Sequence, residues 1–196
     1  ADAGFGAGID CWAVNFIIIH SLPSFMTISN VILDFDGTLT DVFAEGQAFT
    51  VAYRALFAEE FGVREDSLIM LADSLKQQIE ADPTKGWTYD GQIIAPATAD
   101  PMIATTVIYD EIFYLLQQDK LQWSHKPLPS TTEAANNLFR KLFHEAYAVP
   151  RKTIFRPGAK EFLDKVVDKY TTVIVTNSDE RAVIEKVARL GNRFGN

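Results

Sequence analysis

The chain has 196 residues and a net charge of −8, from 26 acidic and 18 basic side chains. Nucleic acids and anionic membrane surfaces are bound through clusters of basic residues, so this balance argues against both as main partners. Apolar residues make up 47% of the chain, which is enough for a buried core and argues against a disordered protein. The single cysteine, Cys11, excludes an intrachain disulfide and a cysteine-based zinc site, and it fits a reducing, cytoplasmic environment.

The first 25 residues differ in character from the rest of the chain. Residues 11–19 (CWAVNFIII) are mostly apolar over 9 positions, fewer than the roughly 20 that a membrane-spanning helix needs. No Lys or Arg precedes them, so the basic start of a secretion signal is lacking, and the first Met is Met26. We interpret residues 1–25 as a tag, upstream readthrough or a disordered leader, with a damaged secretion signal as the alternative. They are expected to lie outside the fold.

The predicted elements begin with a strand over residues 30–35 (NVILDF), whose apolar centre predicts burial on both faces, as in a parallel sheet. A helical block follows, in which residues 83–99 are predicted to be irregular. Beyond Pro150 the pattern changes to a helix, an apolar β-branched strand and a last helix. The predicted helices are 45–61, 65–81, 101–118, about 130–148, 159–169 and 179–190, and the second strand is 172–176.

Two helix starts carry capping signals. Asp100 is followed by Pro101, which is typical of an N-cap and the first helical position. Ser130 and Glu133 have the spacing of a capping box, so the fourth helix is predicted to begin just after Ser130. Asp41 has two open interpretations, as the N-cap of the first helix or as a residue that lines a cleft.

The order of the elements predicts an α/β fold with two domains. Residues 26–44 and 151–196 are expected to form an α/β core. Residues 45–150 are expected to form a helical domain inserted directly after the first strand.

Two carboxylates give the strongest chemical signal. Asp34 and Asp36 stand at the end of the first apolar strand, and open α/β sheets bind ligands just beyond the carboxyl ends of their strands. A carboxylate that closes an apolar run is costly to bury unless it is hydrogen-bonded, paired or bound to a metal. Asp36 lies one pleat period further on and can face the same space, and Gly37 permits a sharp turn beside a ligand.

This spacing is suited to phosphoryl transfer. Asp34 could attack phosphorus and form an acyl phosphate, while Asp36 protonates the leaving oxygen and then deprotonates the attacking water. Both steps bring anions together, which predicts a hard cation with oxygen ligands. Mg²⁺ fits, because it accepts one or two carboxylates and retains waters and a phosphate oxygen.

The segment VILDFDGTLTD (31–41) resembles the first motif of the haloacid dehalogenase superfamily, and VIVTNS (173–178) resembles its second. The resemblance implies a Rossmann-like core, with Asp34 as nucleophile and Asp36 as general acid and base. It also implies that both residues bind Mg²⁺, Asp36 through its backbone carbonyl. The inserted helices are similar to the α-helical C1 cap of that family. The residues implied to bind the substrate phosphate are Gly37, Thr38, Thr176 and Asn177.

The resemblance implies a magnesium-dependent hydrolase that acts on a small phosphomonoester through an aspartyl phosphate. Asp36 favours phosphate chemistry over dehalogenation, because a halide leaving group needs no proton. A phosphomutase or a phosphonate hydrolase has the same motifs and remains an alternative within the superfamily. A non-catalytic fragment or binding protein with this fold is the alternative outside the enzymes. Substrate identity and oligomeric state are left open by the sequence.

Two later motifs of the family are not found in this sequence. The third supplies a Lys some tens of residues after the second motif, and the fourth supplies an acidic pair that completes the metal site. The sequence continues for only 20 residues after Thr176, to Asn196. Lys186 lies too close to Thr176, inside the following helix, to be assigned the third-motif role. We therefore expect a truncated chain that is feeble or inactive by itself, or one that a partner completes.

Overall fold

The computed structural model describes residues 15–19, 30–121, 126–148, 154–176, 178 and 180–191. Within these ranges the chain forms six helices and five strands, and its α/β class is confirmed. The described residues divide into two compact units, with a boundary between Glu45 and Gly46. Residues 46–148 make up the helical unit. Residues 15–45 and those from 154 onward make up the sheet unit.

The sheet unit contains three strands, with β5 (Thr171–Thr176) between β1 (Asn15–Ile19) and β2 (Asn30–Asp34). β2 runs parallel to β5, whereas β1 runs antiparallel to it. The expectation that residues 1–25 lie outside the fold is wrong for β1. Its run of isoleucines favours a strand, and it pairs with the edge of β5 that β2 leaves free. The other residues up to 25 lie outside the described ranges.

The apolar core of the sheet unit is small and mostly aliphatic, with the fully buried ring of Phe35 within it. Leu33 of β2 and Ile174 of β5 are opposite each other in register and cluster with apolar residues of α5 (Ala159–Val167) and α6 (Glu180–Leu190). Ile32 points to the other face of β2 and is 72% exposed. The prediction that the first strand is buried on both faces is therefore wrong. β2 is an edge strand of the described sheet, and the apolar cluster contains Leu33 but not Ile32.

The helical unit is built on four helices, of which the first begins in the sheet unit. The predicted bounds of the second and third helices agree with the structure to within one residue. Asp100 caps the third, as predicted, by accepting a hydrogen bond from the Met102 amide. The observed bounds of the four helices are α1 (Val42–Phe61), α2 (Glu65–Ala81), α3 (Pro101–Gln117) and α4 (Thr132–Tyr147).

The fourth helix begins one residue later than its capping signal predicted. Thr131, not Ser130, is the N-cap, and its hydroxyl accepts a hydrogen bond from the Ala134 amide at 3.1 Å. Ser and Thr hydroxyls are both good N-caps, so the capping-box spacing alone could not decide whether Ser130 or Thr131 begins the helix.

A hairpin occupies much of the segment that was predicted to be irregular. β3 (Gly86–Tyr89) pairs antiparallel with β4 (Gln92–Pro96). The two residues between the strands, Asp90 and Gly91, have φ angles of 48° and 74°. An Asp-Gly pair in this left-handed region makes the tight turn whose twist matches a hairpin. The prediction of irregular structure is therefore wrong for residues 86–96.

Rings fill the core of the helical unit. The Phe57 ring centroid lies 4.4 Å from that of Phe61 and 4.9 Å from that of Tyr109. All three side chains are buried. Such tilted and edge-on pairs stabilise a core beyond their buried area. Over the ranges that the structure describes, none of these helices combines the length and the apolarity that crossing a bilayer requires.

Helices α1 and α3 approach closely at Gly46. A Cβ atom at this position would lie 2.5 Å from the Cβ of Pro101. One turn further along both helices, the Thr50 and Thr105 hydroxyls form a hydrogen bond of 2.7 Å. Gly46 is therefore required by the close packing of the two helices.

Candidate functional site

Asp34 ends β2, and the chain turns sharply after it. The Thr38 hydroxyl donates a hydrogen bond to Asp34 Oδ2 at 3.2 Å. Gly37 has a φ of +79°, a left-handed conformation that favours glycine, and its amide donates to the Thr40 hydroxyl at 3.2 Å. The Asp34 carboxylate remains exposed. The loop therefore presents one accessible carboxylate at the end of the strand.

Asp36 joins the two sequence motifs. Its Oδ2 accepts hydrogen bonds from the Thr176 hydroxyl at 3.2 Å and from the Ser178 hydroxyl at 2.5 Å. Thr176 is 140 positions away in sequence. It ends β5, and the two residues meet because parallel strands place their carboxyl ends at the same edge of a sheet. The Ser178 amide also donates to the Thr176 hydroxyl at 3.0 Å.

Two predicted phosphate-binding hydroxyls thus have protein partners here. Thr38 contacts Asp34, and Thr176 contacts Asp36. Asn177, also predicted to bind phosphate, lies outside the described residues. Ser178 was not among the predicted site residues, although it closes the segment VIVTNS and could have been found from that position.

Lys186 lies on the other side of Asp36. Its Nζ is 3.6 Å from Asp36 Oδ1 and 3.1 Å from Glu45 Oε2. Lys186 is only 2% exposed and Glu45 only 1%. The sequence interpretation set Lys186 aside because of its place in the last helix, and it overlooked Glu45. A weak signal for Lys186 exists: it lies between Val183 and Leu190 on the apolar stripe of α6, where a charge needs a partner.

The electrostatics of Glu45 follow from its burial. Removal from water raises the pKa of the Glu45 carboxyl, since burial disfavours the charged form. The Lys186 ammonium opposes that rise by its charge and its hydrogen bond, and the backbone of Ile154 opposes it more weakly. The negative charge of Asp36 adds to the rise. Within the described residues, Glu45 Oε1 has no hydrogen-bond partner, so Lys186 is its main source of stabilisation.

Asp41 acts as a helix cap. Its Oδ1 accepts a hydrogen bond from the Ala44 amide at 3.1 Å, and its backbone carbonyl accepts one from the Glu45 amide at 2.9 Å. Of the two interpretations that the sequence left open, the structure therefore supports the cap. It also explains why α1 begins at Val42 rather than at the predicted residue 45.

Of the two residues predicted to bind Mg²⁺, one presents an accessible carboxylate. Asp34 offers an exposed carboxylate, whereas Asp36 Oδ2 is occupied by two hydroxyl donors. No group of three or more His, Cys, Asp or Glu side chains suited to a metal is present in the ranges that the structure covers. Mg²⁺ can be held by one or two carboxylates together with carbonyl groups and water, so Asp34 is compatible with one position of such a site.

Comparison with known proteins gives no relative for this chain. No family model matches it, and neither a curated protein nor a solved structure matches it.

Proposed function

We propose that this chain is a phosphomonoester hydrolase of the haloacid dehalogenase type, with a Rossmann-like core in the sheet unit and a helical cap in the other. The observation that carries this proposal is the hydrogen bond from Thr176 to Asp36. It unites two sequence segments that were each assigned to phosphate chemistry by their resemblance to the same superfamily. A simple turn after β2 would not need a buried hydroxyl and a buried ammonium beside Asp36.

In the first step, an Asp34 oxygen attacks the phosphorus of a small phosphorylated metabolite. A bond forms between that oxygen and phosphorus, the bond from phosphorus to the leaving oxygen breaks, and Asp36 in its protonated form gives its proton to the leaving oxygen. In the second step, Asp36 accepts a proton from water as the water attacks the aspartyl phosphate. Inorganic phosphate leaves and the Asp34 carboxylate is restored.

The contacts of Asp36 fit its double role. Two hydroxyl groups bind Oδ2, which leaves Oδ1 to exchange protons with the leaving oxygen and the attacking water. Lys186 places a positive charge 3.6 Å from Oδ1. The ammonium therefore lies beside the oxygen that is left to exchange protons. Lys186 thus supplies a cation from a position nearer to the second motif than the third-motif Lys of the superfamily.

Mg²⁺ is the proposed cofactor. Asp34 would hold it through its carboxylate, and Asp36 through its backbone carbonyl. When bound, the ion neutralises phosphate charge and orients the transferring group.

The proposal is tested by hydrolysis of an aryl phosphate with and without Mg²⁺. The wild-type chain is expected to hydrolyse the ester slowly and only with the metal, and Asp34→Asn to lower the rate to that measured without protein, because it removes the nucleophile. Asp73→Asn is the matched control, since Asp73 is an exposed carboxylate on α2 in the helical unit. It should retain wild-type activity. Turnover by Asp34→Asn at the wild-type rate would contradict the assignment of the nucleophile.

Binding of beryllium fluoride separates a weak enzyme from a protein with another role. This anion mimics a phosphoryl group on an aspartate, and ¹⁹F NMR reports its capture. Capture by the wild type but not by Asp34→Asn is expected. A chain that neither hydrolyses aryl phosphate nor captures the fluoride would contradict the proposed function.

A further inference from the structure

The pair formed by Glu45 and Lys186 is unusual for its burial. Lys and Glu side chains are almost never fully buried unless they are paired, and these two are 1% and 2% exposed. Removing such a pair from water costs several kcal/mol per ion before the attraction between the charges is counted. An apolar pair of similar size would fill the same space with no such cost. The pair therefore calls for an explanation other than packing.

The contacts of the Lys186 ammonium point to that explanation. It lies between two carboxylates, 3.1 Å from Glu45 Oε2 and 3.6 Å from Asp36 Oδ1. The ring of Phe35 approaches from a third side, with its centroid 5.8 Å from Nζ. The ammonium is thus held by groups on the first turn of α1 and on the loop after β2.

The two carboxylates differ in what they can reach. The side chain of Asp36 is 25% exposed, so it can meet a small molecule, whereas that of Glu45 is 2% exposed. Glu45 therefore does not meet a small molecule itself, and its side chain contacts Lys186 rather than the reacting groups. The start of α1 also favours a negative charge at Glu45, because the first turn of a helix is electropositive.

We propose that Glu45 is a positioning residue, which anchors the Lys186 ammonium so that it contacts Asp36 at a fixed distance. The catalytic part of this inference rests on the proposed function. The part that concerns the arrangement of the three side chains does not.

Removal of the anchor should change catalysis in a particular way. In Glu45→Gln the Lys186 ammonium loses the carboxylate that lies 3.1 Å from it, so its position relative to Asp36 is no longer fixed. We expect kcat to fall between about 10- and 100-fold, the scale on which misplacement of a group affects rates. KM should change less than about twofold, since Glu45 does not touch the substrate. Glu45→Asp retains the charge and should recover part of kcat.

The arrangement itself is tested by ¹⁵N NMR of the lysine ammonium groups, which requires no turnover. The signal of Lys186 is assigned by its loss in Lys186→Met. In the wild type its hydrogens should exchange slowly with water, as expected of a buried and anchored group. Glu45→Gln should shift this signal and speed its exchange at least about tenfold, while Asp36→Asn should shift it as well. Glu111→Gln, which removes the partner of Lys85 in the helical unit, is the matched control and should leave the signal unchanged.

The outcomes separate the two proposals. The positioning role is overturned if the Lys186 signal is the same in Glu45→Gln as in the wild type. It is also overturned if the signal shifts in Glu45→Gln but not in Asp36→Asn. A signal that responds to both supports the arrangement, even if the wild type proves unable to act on phosphate esters. If the signal responds but kcat of Glu45→Gln equals that of an active wild type, the pair is structural only and the positioning role is wrong. Should Glu45→Gln fail to fold, Glu45→Asp gives the same comparison with a smaller expected shift.

Discussion

The two units of this molecule bury different kinds of side chain. The helical unit fills its centre with rings, such as Phe57 with neighbours 4.4 and 4.9 Å away. The sheet unit has a small core that is mostly aliphatic, with the single fully buried ring of Phe35, and beside it a buried ammonium between two carboxylates. The first arrangement derives its stability from apolar area, and the second accepts a desolvation cost to fix charges in place. The two units therefore differ in what their interiors cost: the helical unit buries mainly apolar groups, whereas the sheet unit also buries paired charges.

The largest expected effect concerns the rings. Phe57→Ala should lower the free energy of unfolding by about 3–5 kcal/mol, because it leaves a cavity among rings that cannot close on it. Phe43→Ala is the matched control, since Phe43 is 65% exposed and should change stability by less than about 0.5 kcal/mol. Urea unfolding followed by circular dichroism measures both variants. Equal losses would contradict the view that ring packing stabilises the helical unit.

The second prediction concerns the buried charges. Lys186→Met leaves Glu45 buried without its main partner and should lower the free energy of unfolding by about 3 kcal/mol at pH 8. The loss should be smaller at pH 5, because burial already raises the pKa of Glu45, and without Lys186 the carboxyl takes up a proton more readily.

Lys85→Met is the control for this variant. Its ion pair with Glu111 has side chains 40% and 31% exposed, so its loss should amount to less than about 1 kcal/mol. The comparison uses urea unfolding at both pH values. A loss in Lys186→Met that is equally large at pH 5 and pH 8 would show that packing, not charge, dominates at this position.

The smallest expected effect concerns Asp110, an ionisable side chain within the mainly apolar packing of the helical unit. Burial, with a smaller contribution from the charge of Glu111, raises the pKa of Asp110 to about 8. In the unfolded chain this carboxyl has an ordinary pKa near 4, so below pH 4 it is protonated in both states and does not change the free energy of unfolding. As the pH rises from 4 through about 8, the unfolded chain ionises more readily than the folded one, and the free energy of unfolding falls. Asp110→Asn cannot ionise, so it should be more stable than the wild type at pH 9 and similar to it at pH 4.

The size of this effect is limited by solvent, because Asp110 is only half-buried by its accessible surface. A gain on the order of 1–2 kcal/mol at pH 9 is therefore expected. Urea unfolding at pH 4, 7 and 9 measures it. A stability difference between variant and wild type that does not change with pH would show that Asp110 is already ionised at no cost in the fold.

The sequence predicted those features that depend on local pattern. The second and third helices have clear apolar periodicity and end signals, and their bounds agree with the structure to within one residue. The proximity of Asp36 and Thr176 could be predicted, because each follows or ends an apolar strand and parallel strands place their carboxyl ends at the same edge of the sheet. The hairpin at residues 86–96 was missed although Asp90-Gly91 is a strong turn signal, because its strands alternate weakly.

The contacts of Glu45 with Lys186 could not be predicted in this way. The two residues are 141 positions apart, and each lies in a helix where a charged residue is ordinarily solvated. Only the packing of α1 and α6 within the sheet unit brings them together. Strand β1 was missed for a different reason: its short apolar run precedes the first Met and resembles a leader, and only pairing with β5 distinguishes it as a strand.

The contact between Gly46 and Pro101 restricts how this sequence can diverge. Alanine would improve the intrinsic helix propensity at position 46 by about 1 kcal/mol, yet its methyl group would collide with a rigid ring. A lineage that retains Pro101 is therefore confined to glycine at this place, and escape requires paired changes in α1 and α3.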